Sequence, residues 1–226
     1  MTGGEIYIAR FAAWAPGIAS SGEWDEWAAG KRNISPGVKG PDITFTDSMF
    51  RRRLSQISKM TIQVVHDLMP LGEDTKMLFL SFRGELARQY QINKMLIEEG
   101  ELSPAAFSLS VFNAPAALAT MALGLKGGYS ALYPGHNSFS AGIKAAEAAL
   151  LCGAADELVV VYADEEVPPE YRCFFQECPP PAAFALILSR TSRSFSIPIS
   201  SLNVEVNNPL DFLKQLLLCG EIHVSS

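Results

Sequence analysis

The spacing of apolar side chains divides the chain into strand-like and helix-like stretches that alternate. Residues 5–11 alternate and are rich in Ile, Tyr and Phe, which predicts a first strand running into the loop Ala13-Trp14-Ala15-Pro16-Gly17. A polar loop carrying tryptophans follows. Asp47 reads as an N-cap, and Phe50, Leu54, Ile57, Thr61, Val65 and Leu68 then recur every three or four residues up to Pro70, which predicts one helix over residues 48–69. Residues 76–82 form a short apolar run, a buried strand, and residues 84–99 return to helical periodicity with Gly100 as the stop. The small-residue stretch from Ser103 to Gly128 contains Pro104 and Pro115 and predicts a loop leading into a helix near residues 116–123. A strand over 129–133, an alanine-rich helix over 138–152 and a β-branched central strand over 157–163 complete the alternation. Residues 164–181 read as a proline-rich surface excursion. Residues 182–189 and 194–200 then read as consecutive strands in an antiparallel extension, and a last helix spans about 210–218. The order predicts an α/β fold in a single domain over residues 1–226.

Composition narrows the class without naming it. Of the 226 residues, 48% are hydrophobic and 19% charged, enough apolar material for a substantial core. The net charge of −6 comes with no basic stripe, which argues against a nucleic-acid partner. No basic segment precedes the first apolar stretch, and no run of 18 uncharged apolar residues occurs, so neither a signal peptide nor a membrane span is expected. Cys152, Cys173, Cys178 and Cys219 form no disulfide framework, which points to a reducing, cytoplasmic setting. The pair Cys173 and Cys178 has no second Cys or His pair at zinc spacing, so no metal is expected.

Candidate chemistry concentrates at one place. His66 reads as a helix-surface or packing residue, and His223 lies almost at the C-terminus. His136 differs, because a strand passes through Pro134-Gly135 directly into a small-residue helix. An elbow of this kind presents a side chain at a helix N-terminus, where free N–H groups stabilise negative charge. Acyl-transfer enzymes place nucleophiles at such elbows. Ser138 reads equally well as a simple cap of the helix. All four cysteines lie downstream of the elbow, and no glycine-rich phosphate loop is present.

From residue 102 to 127 the sequence LSPAAFSLSVFNAPAALATMALGLKG, with Ser103-Pro104, Asn113 and Gly124-Leu125-Lys126-Gly127, resembles the ketosynthases of the thiolase superfamily. Further landmarks are the strand at 5–11 with its WAPG loop, Arg52-Arg53-Leu54-Ser55, the segment from Phe79 to Leu86 and ELVVVYADE after the elbow helix. Together they resemble the short ketosynthase-like proteins found beside aryl-polyene-type synthases. The resemblance implies a truncated thiolase-like fold, the N-terminal half of a ketosynthase with a mixed sheet and flanking helices. Counting back from Gly153 and Asp156 places the family's nucleophilic cysteine at His136, and counting forward from Tyr129-Ser130 also allows Gly135; neither is a cysteine. The two histidine motifs of the family's second half are absent as well.

The resemblance therefore implies a non-catalytic chain-length-factor subunit that needs no cofactor. It implies pairing with an active β-ketoacyl-ACP synthase as a heterodimer in polyene or fatty-acid-like elongation. By that analogy Ala105, Ala106 and Phe107 lie near the end of the acyl tunnel, while Phe112, Asn113 and the 129–133 strand with Tyr133 lie near the interface. The plain alternative, that these are ordinary core residues, is equally open. Two other functional readings stay open: an unconventional acyltransferase using His136, and an acyl-carrier-binding scaffold. Arg51, Arg52 and Arg53 form either a solvated helix face, the simpler reading, or a docking patch for an acidic acyl carrier protein. A half-thiolase unit is also expected to leave bare the faces that its other half would cover.

Overall fold

The computed structural model describes residues 4–37, 39–135, 138–175 and 178–219. The chain opens with strand Tyr7–Trp14 (β1), helix Ser21–Ala28 (α1), the short helix Ser48–Arg51 (α2) and helix Gln56–His66 (α3). Strand Lys76–Leu80 (β2), helices Leu86–Glu99 (α4), Pro104–Ser108 (α5) and Ala114–Leu123 (α6), and strand Tyr129–Leu132 (β3) follow. Helix Phe139–Leu151 (α7), strands Glu157–Asp164 (β4), Ala182–Ser189 (β5) and Ile197–Pro198 (β6), and helix Pro209–Cys219 (α8) complete it.

The strands form one mixed sheet in the order β3-β2-β4-β5-β1-β6. β2 runs parallel to β3 and β4, whereas β5 is antiparallel to β4 and β1, and β6 is antiparallel to β1. β5 is buried along its whole length, and only the first residue of β4 escapes full burial. Both read as near-continuous apolar runs because each has a core on both faces. One core lies under α1, α7 and α8 and includes Phe139, Tyr162, Phe184 and Phe212. The other lies under α3 and α6 and includes Ile57, Met60, Phe79 and Val161. α7 sits tightly on β2: a Cβ on Gly142 would lie 2.6 Å from Leu80 Cδ1.

Several expectations need correction. The predicted helix over 48–69 is two helices. Asp47 caps α2 as expected, but the helix ends at Arg51, and Ser55 caps a new one by accepting from the Ser58 N–H. No proline or glycine marks that break. The polar tryptophan loop contains α1, which a full capping box between Ser20 and Glu23 stabilises, and the loop predicted after Ser103 contains α5. In the predicted strand over 194–200 only Ile197 and Pro198 pair, and they pair with β1 rather than β5. The excursion begins later than residue 164: Asp164 ends β4, Glu165 and Val167 are buried, and Pro169–Phe174 forms a 3₁₀ helix.

The sheet faces are not bare. Residues 34–37 and 39–46 lie along α3, where Ile43 is fully buried, the Gly37 carbonyl accepts from Gln56 Nε2 at 2.7 Å, and Phe45 stacks on His66 at 3.7 Å. The outward residues of α3, Lys59, Gln63 and His66, are polar and half-buried under this strap. His66 takes the packing role its sequence context predicts.

Candidate functional site

The C-terminal ends of β2, β3 and β4 point to one end of the sheet, the place where α/β folds gather ligand-facing groups. There the chain builds a buried polar cluster around Asp164. Its Oδ1 accepts from Ser81 Oγ at 2.6 Å and from the Arg83 N–H at 3.1 Å, and its Oδ2 accepts from Tyr162 OH at 2.9 Å. The Phe82 N–H points at the same carboxylate, and Ser81 Oγ in turn accepts from the Gly84 N–H at 2.7 Å. Arg83 Nε lies 3.4 Å from Asp164 Oδ2, with 5% of its side chain exposed, while Arg83 Nη1 is buried and finds no acceptor among the described residues. Burial works against the Arg83 charge, but Asp164 and Tyr162 outweigh it and hold the guanidinium above its ordinary pKa. Burial also pushes the Tyr162 hydroxyl well up, and Asp164 adds to that.

A second set of carboxylates ties this end of the sheet to the helices. Glu85, fully buried, accepts from Ser55 Oγ and Ser58 Oγ, both at 2.7 Å, and from Arg88 Nε at 3.1 Å. Glu165 accepts from the Ala87 N–H in the first turn of α4 at 2.8 Å, where the helix dipole favours an acceptor. Sequence reasoning assigned no chemistry to Ser81, Arg83, Glu85, Asp164 or Glu165. Their signal was present as charged residues directly after two apolar strands, in SFRGE and ADEE.

The elbow residue His136 lies outside the described residues. At the end of β3, Tyr133 is 51% exposed and its ring meets Phe82 edge-on at 6.3 Å, while Phe82 and Phe139 both pack on Tyr162. Asn113 Nδ2 donates to Tyr129 OH at 3.1 Å, joining the start of α6 to β3. Phe112 packs on Phe79 at 6.1 Å and so tightly on Gly84 that a Cβ there would lie 2.8 Å from its ring. Gly84, at φ +57, is in the left-handed region where glycine is favoured. Phe112, Asn113 and Tyr133 are thus gathered around β3 and the strand ends.

Ala105, Ala106 and Phe107 form α5, and none of them is buried; Phe107 is 55% exposed. Ala105, Phe107, Asn113 and Tyr133 are exposed, whereas Ala106 and Phe112 are half-buried. β3 is an edge strand, with Tyr129, Tyr133, Val111 and Met121 among the exposed large apolar side chains of this region. The four cysteines are free and exposed. Among the described residues no His, Cys, Asp and Glu cluster suits a metal ion, and no helix is long and apolar enough to cross a membrane.

A mixed sheet layered by helices, with a strand-to-helix elbow at the parallel strand ends, is the N-terminal half of a thiolase-like ketosynthase fold. The model of the β-ketoacyl synthase N-terminal domain matches residues 24–213, and the chain belongs to that family. None of the curated proteins compared with it matches. Among solved structures, a chain of the ketosynthase ApeO in complex with its chain length factor ApeC, from Xenorhabdus doucetiae, is 25% identical with a TM-score of 0.74. The match covers 98% of this chain and 95% of that one. The ishigamide ketosynthase/chain length factor is 14% identical with a TM-score of 0.69, covering 87% of this chain and 65% of that one. The type II polyketide synthase complex AntDE:AntF, an acyl-carrier protein with its ketosynthase, is 14% identical with a TM-score of 0.60, over 82% of this chain and 63% of that one.

Proposed function

We propose that the chain is a non-catalytic chain-length-factor subunit, a single half-thiolase unit over residues 1–226 that pairs with an active β-ketoacyl-ACP synthase and forms part of its acyl tunnel in the cytoplasm. The observation that carries this reading is the edge of the sheet. Among the described residues β3 has an unpaired side, and Val111, Met121, Tyr129 and Tyr133 stand exposed on and around it, a concentration of large apolar groups that fits a partner surface. The absence of cysteine from the elbow sequence, and the likeness to a structure that contains a ketosynthase with its chain length factor, support the division of labour. In this arrangement chemistry belongs to the partner, and α5 with Phe112 supplies a wall.

The same reading gives Arg51, Arg52 and Arg53 a use. Among the described residues none of the three forms an ion pair, in a chain whose net charge is −6, and Met49 beside them is exposed. A local basic patch with an apolar residue suits an acidic acyl carrier protein.

Co-expression with a candidate ketosynthase, followed by sizing, tests the proposal. A stable one-to-one complex is expected, with the chain alone self-associated or poorly soluble. A well-behaved monomer that ignores the ketosynthase, yet still binds acyl carrier protein, would favour the scaffold reading instead.

A further inference from the structure

Helix α4 is attached to the fold more by polar contacts than by apolar ones. Ile92 is its only buried residue, and α5, which follows it, has none. Hydrogen bonds hold its first turns. Glu165 Oε1 accepts from the Ala87 N–H at 2.8 Å, Arg88 Nη2 donates to the Arg53 carbonyl at 2.8 Å, and Gln89 Nε2 donates to the Ser110 carbonyl just beyond α5 at 3.1 Å. Glu165 also takes the Ile57 N–H in the first turn of α3, so one carboxyl joins the starts of both helices to the end of β4. A helix with so little buried apolar surface opens at a lower free energy than the strands behind it, and its closure depends on these bonds.

The carboxyl that joins them is the odd one in a buried set of charges. Glu85, Asp164 and Glu165 are at most 2% exposed. Glu85 lies 3.1 Å from Arg88 Nε and Asp164 lies 3.4 Å from Arg83 Nε, but Glu165 forms no ion pair among the described residues. Its neighbour Glu166 is matched by Arg172 at 2.6 Å, Tyr162 donates to Asp164, and the stem of Lys59 on α3 lies beside Gly40. Two guanidiniums against three buried carboxyls leave one carboxyl unmatched, and such a group is disfavoured as the anion against its protonated form. Glu85 and Asp164 both act on Glu165 in that direction.

We propose that Glu165 is a proton-operated clasp: protonated, it closes the first turns of α4 onto α3 and β4, and its ionisation releases α4 together with α5. The ionised carboxylate regains water only when the helix moves off it. Its carboxyl stands at about 7 in the closed chain and at its ordinary 4.5 once opened to water. Closure is therefore full below about pH 4.5 and is lost as pH rises through about 7. Between pH 5 and pH 8 the opening constant should rise about 70-fold. Because α5 carries Ala105, Ala106 and Phe107, the clasp makes the tunnel wall pH-sensitive on the chain-length-factor reading; the release of α4 itself does not rest on that reading.

Amide hydrogen exchange in the full-length chain, within the co-expressed complex or alone if none forms, tests the clasp. Wild type and Glu165→Gln are compared at each pH, so the intrinsic exchange chemistry cancels; glutamine keeps an oxygen for the Ala87 N–H and cannot ionise. The ratio of wild-type to variant exchange over residues 86–93 should rise about 70-fold from pH 5 to pH 8, while β4 and β5 stay unexchanged in both proteins. A constant ratio overturns the inference, because no ionisation then controls the helix. A rise that appears only when β4 and β5 exchange as well also overturns it, because the whole domain then opens. If the glutamine variant does not fold, wild-type exchange at the two pH values, each divided by the intrinsic rate of the same segment, should show the same rise. Failure of wild type to assemble overturns the chain-length-factor reading and leaves this measurement intact.

Discussion

Replacing Glu165 by glutamine probes the electrostatics behind the site. Burial pushes the Glu165 carboxyl up from its ordinary 4.5 to about 7. The Ala87 and Ile57 N–H groups oppose that rise, and the charges of Glu85 and Asp164 add to it. Such a carboxyl keeps a proton in the native chain that the unfolded chain has already lost. Its contribution to stability is therefore full below about pH 4.5 and is lost as pH rises through about 7. At 1.36 kcal/mol per pKa unit, that span amounts to about 3 kcal/mol, a large part of the net stability of a domain. Glutamine retains an oxygen for the Ala87 N–H and cannot ionise. Urea unfolding of both proteins, near pH 4.5 and near pH 8, should show wild type losing about 3 kcal/mol more than Glu165→Gln between the two conditions. Equal losses would refute the assignment of a raised carboxyl to this position.

Four further substitutions address the site. Gly84→Ala places a side chain at φ +57 and a Cβ 2.8 Å from the Phe112 ring, so it should destabilise the chain by about 1–2 kcal/mol in urea unfolding and displace that wall. Ala106→Phe should shorten products at an unchanged initial rate, because overpacking of roughly 1–3 kcal/mol lowers binding of the longest intermediate by about one to two powers of ten. Phe107→Ala should allow equal or longer products, and mass spectrometry of carrier-bound intermediates checks both. His136→Ala should leave turnover by the complex nearly intact, and a loss of several orders of magnitude with assembly preserved would make His136 a participant.

Much of the fold was legible from local chemistry. β2, β4, β5, α4, α6 and α7 follow their periodicity within a few residues, and Gly100 ends α4 in the left-handed conformation its position suggests. The helix over 48–69 was not legible, because its break depends on a distant residue. Ser55 and Ser58 would sit unremarked in one long helix, but buried Glu85, 30 and 27 positions away, takes both hydroxyls and rewards a fresh N-cap at Ser55. α1 was hidden for a different reason: its apolar content is low, and its capping box is a polar signal that periodicity does not register.

The lack of a thiol in the elbow sequence and the α/β alternation of elements can both be read from residue type and short-range spacing. Three further features came from packing: which strand forms the edge, that residues 34–37 and 39–46 lie along α3, and that Arg83 and Asp164 meet at the ends of β2 and β4. Those outcomes depend on sheet order, and sheet order places residues 81 positions apart within hydrogen-bonding distance while the intervening pattern carries no record of it. A charged residue after an apolar strand reads the same whether it ends in water or in a buried pair; only the packing of Tyr162, Phe82 and Phe139 around it makes it interior.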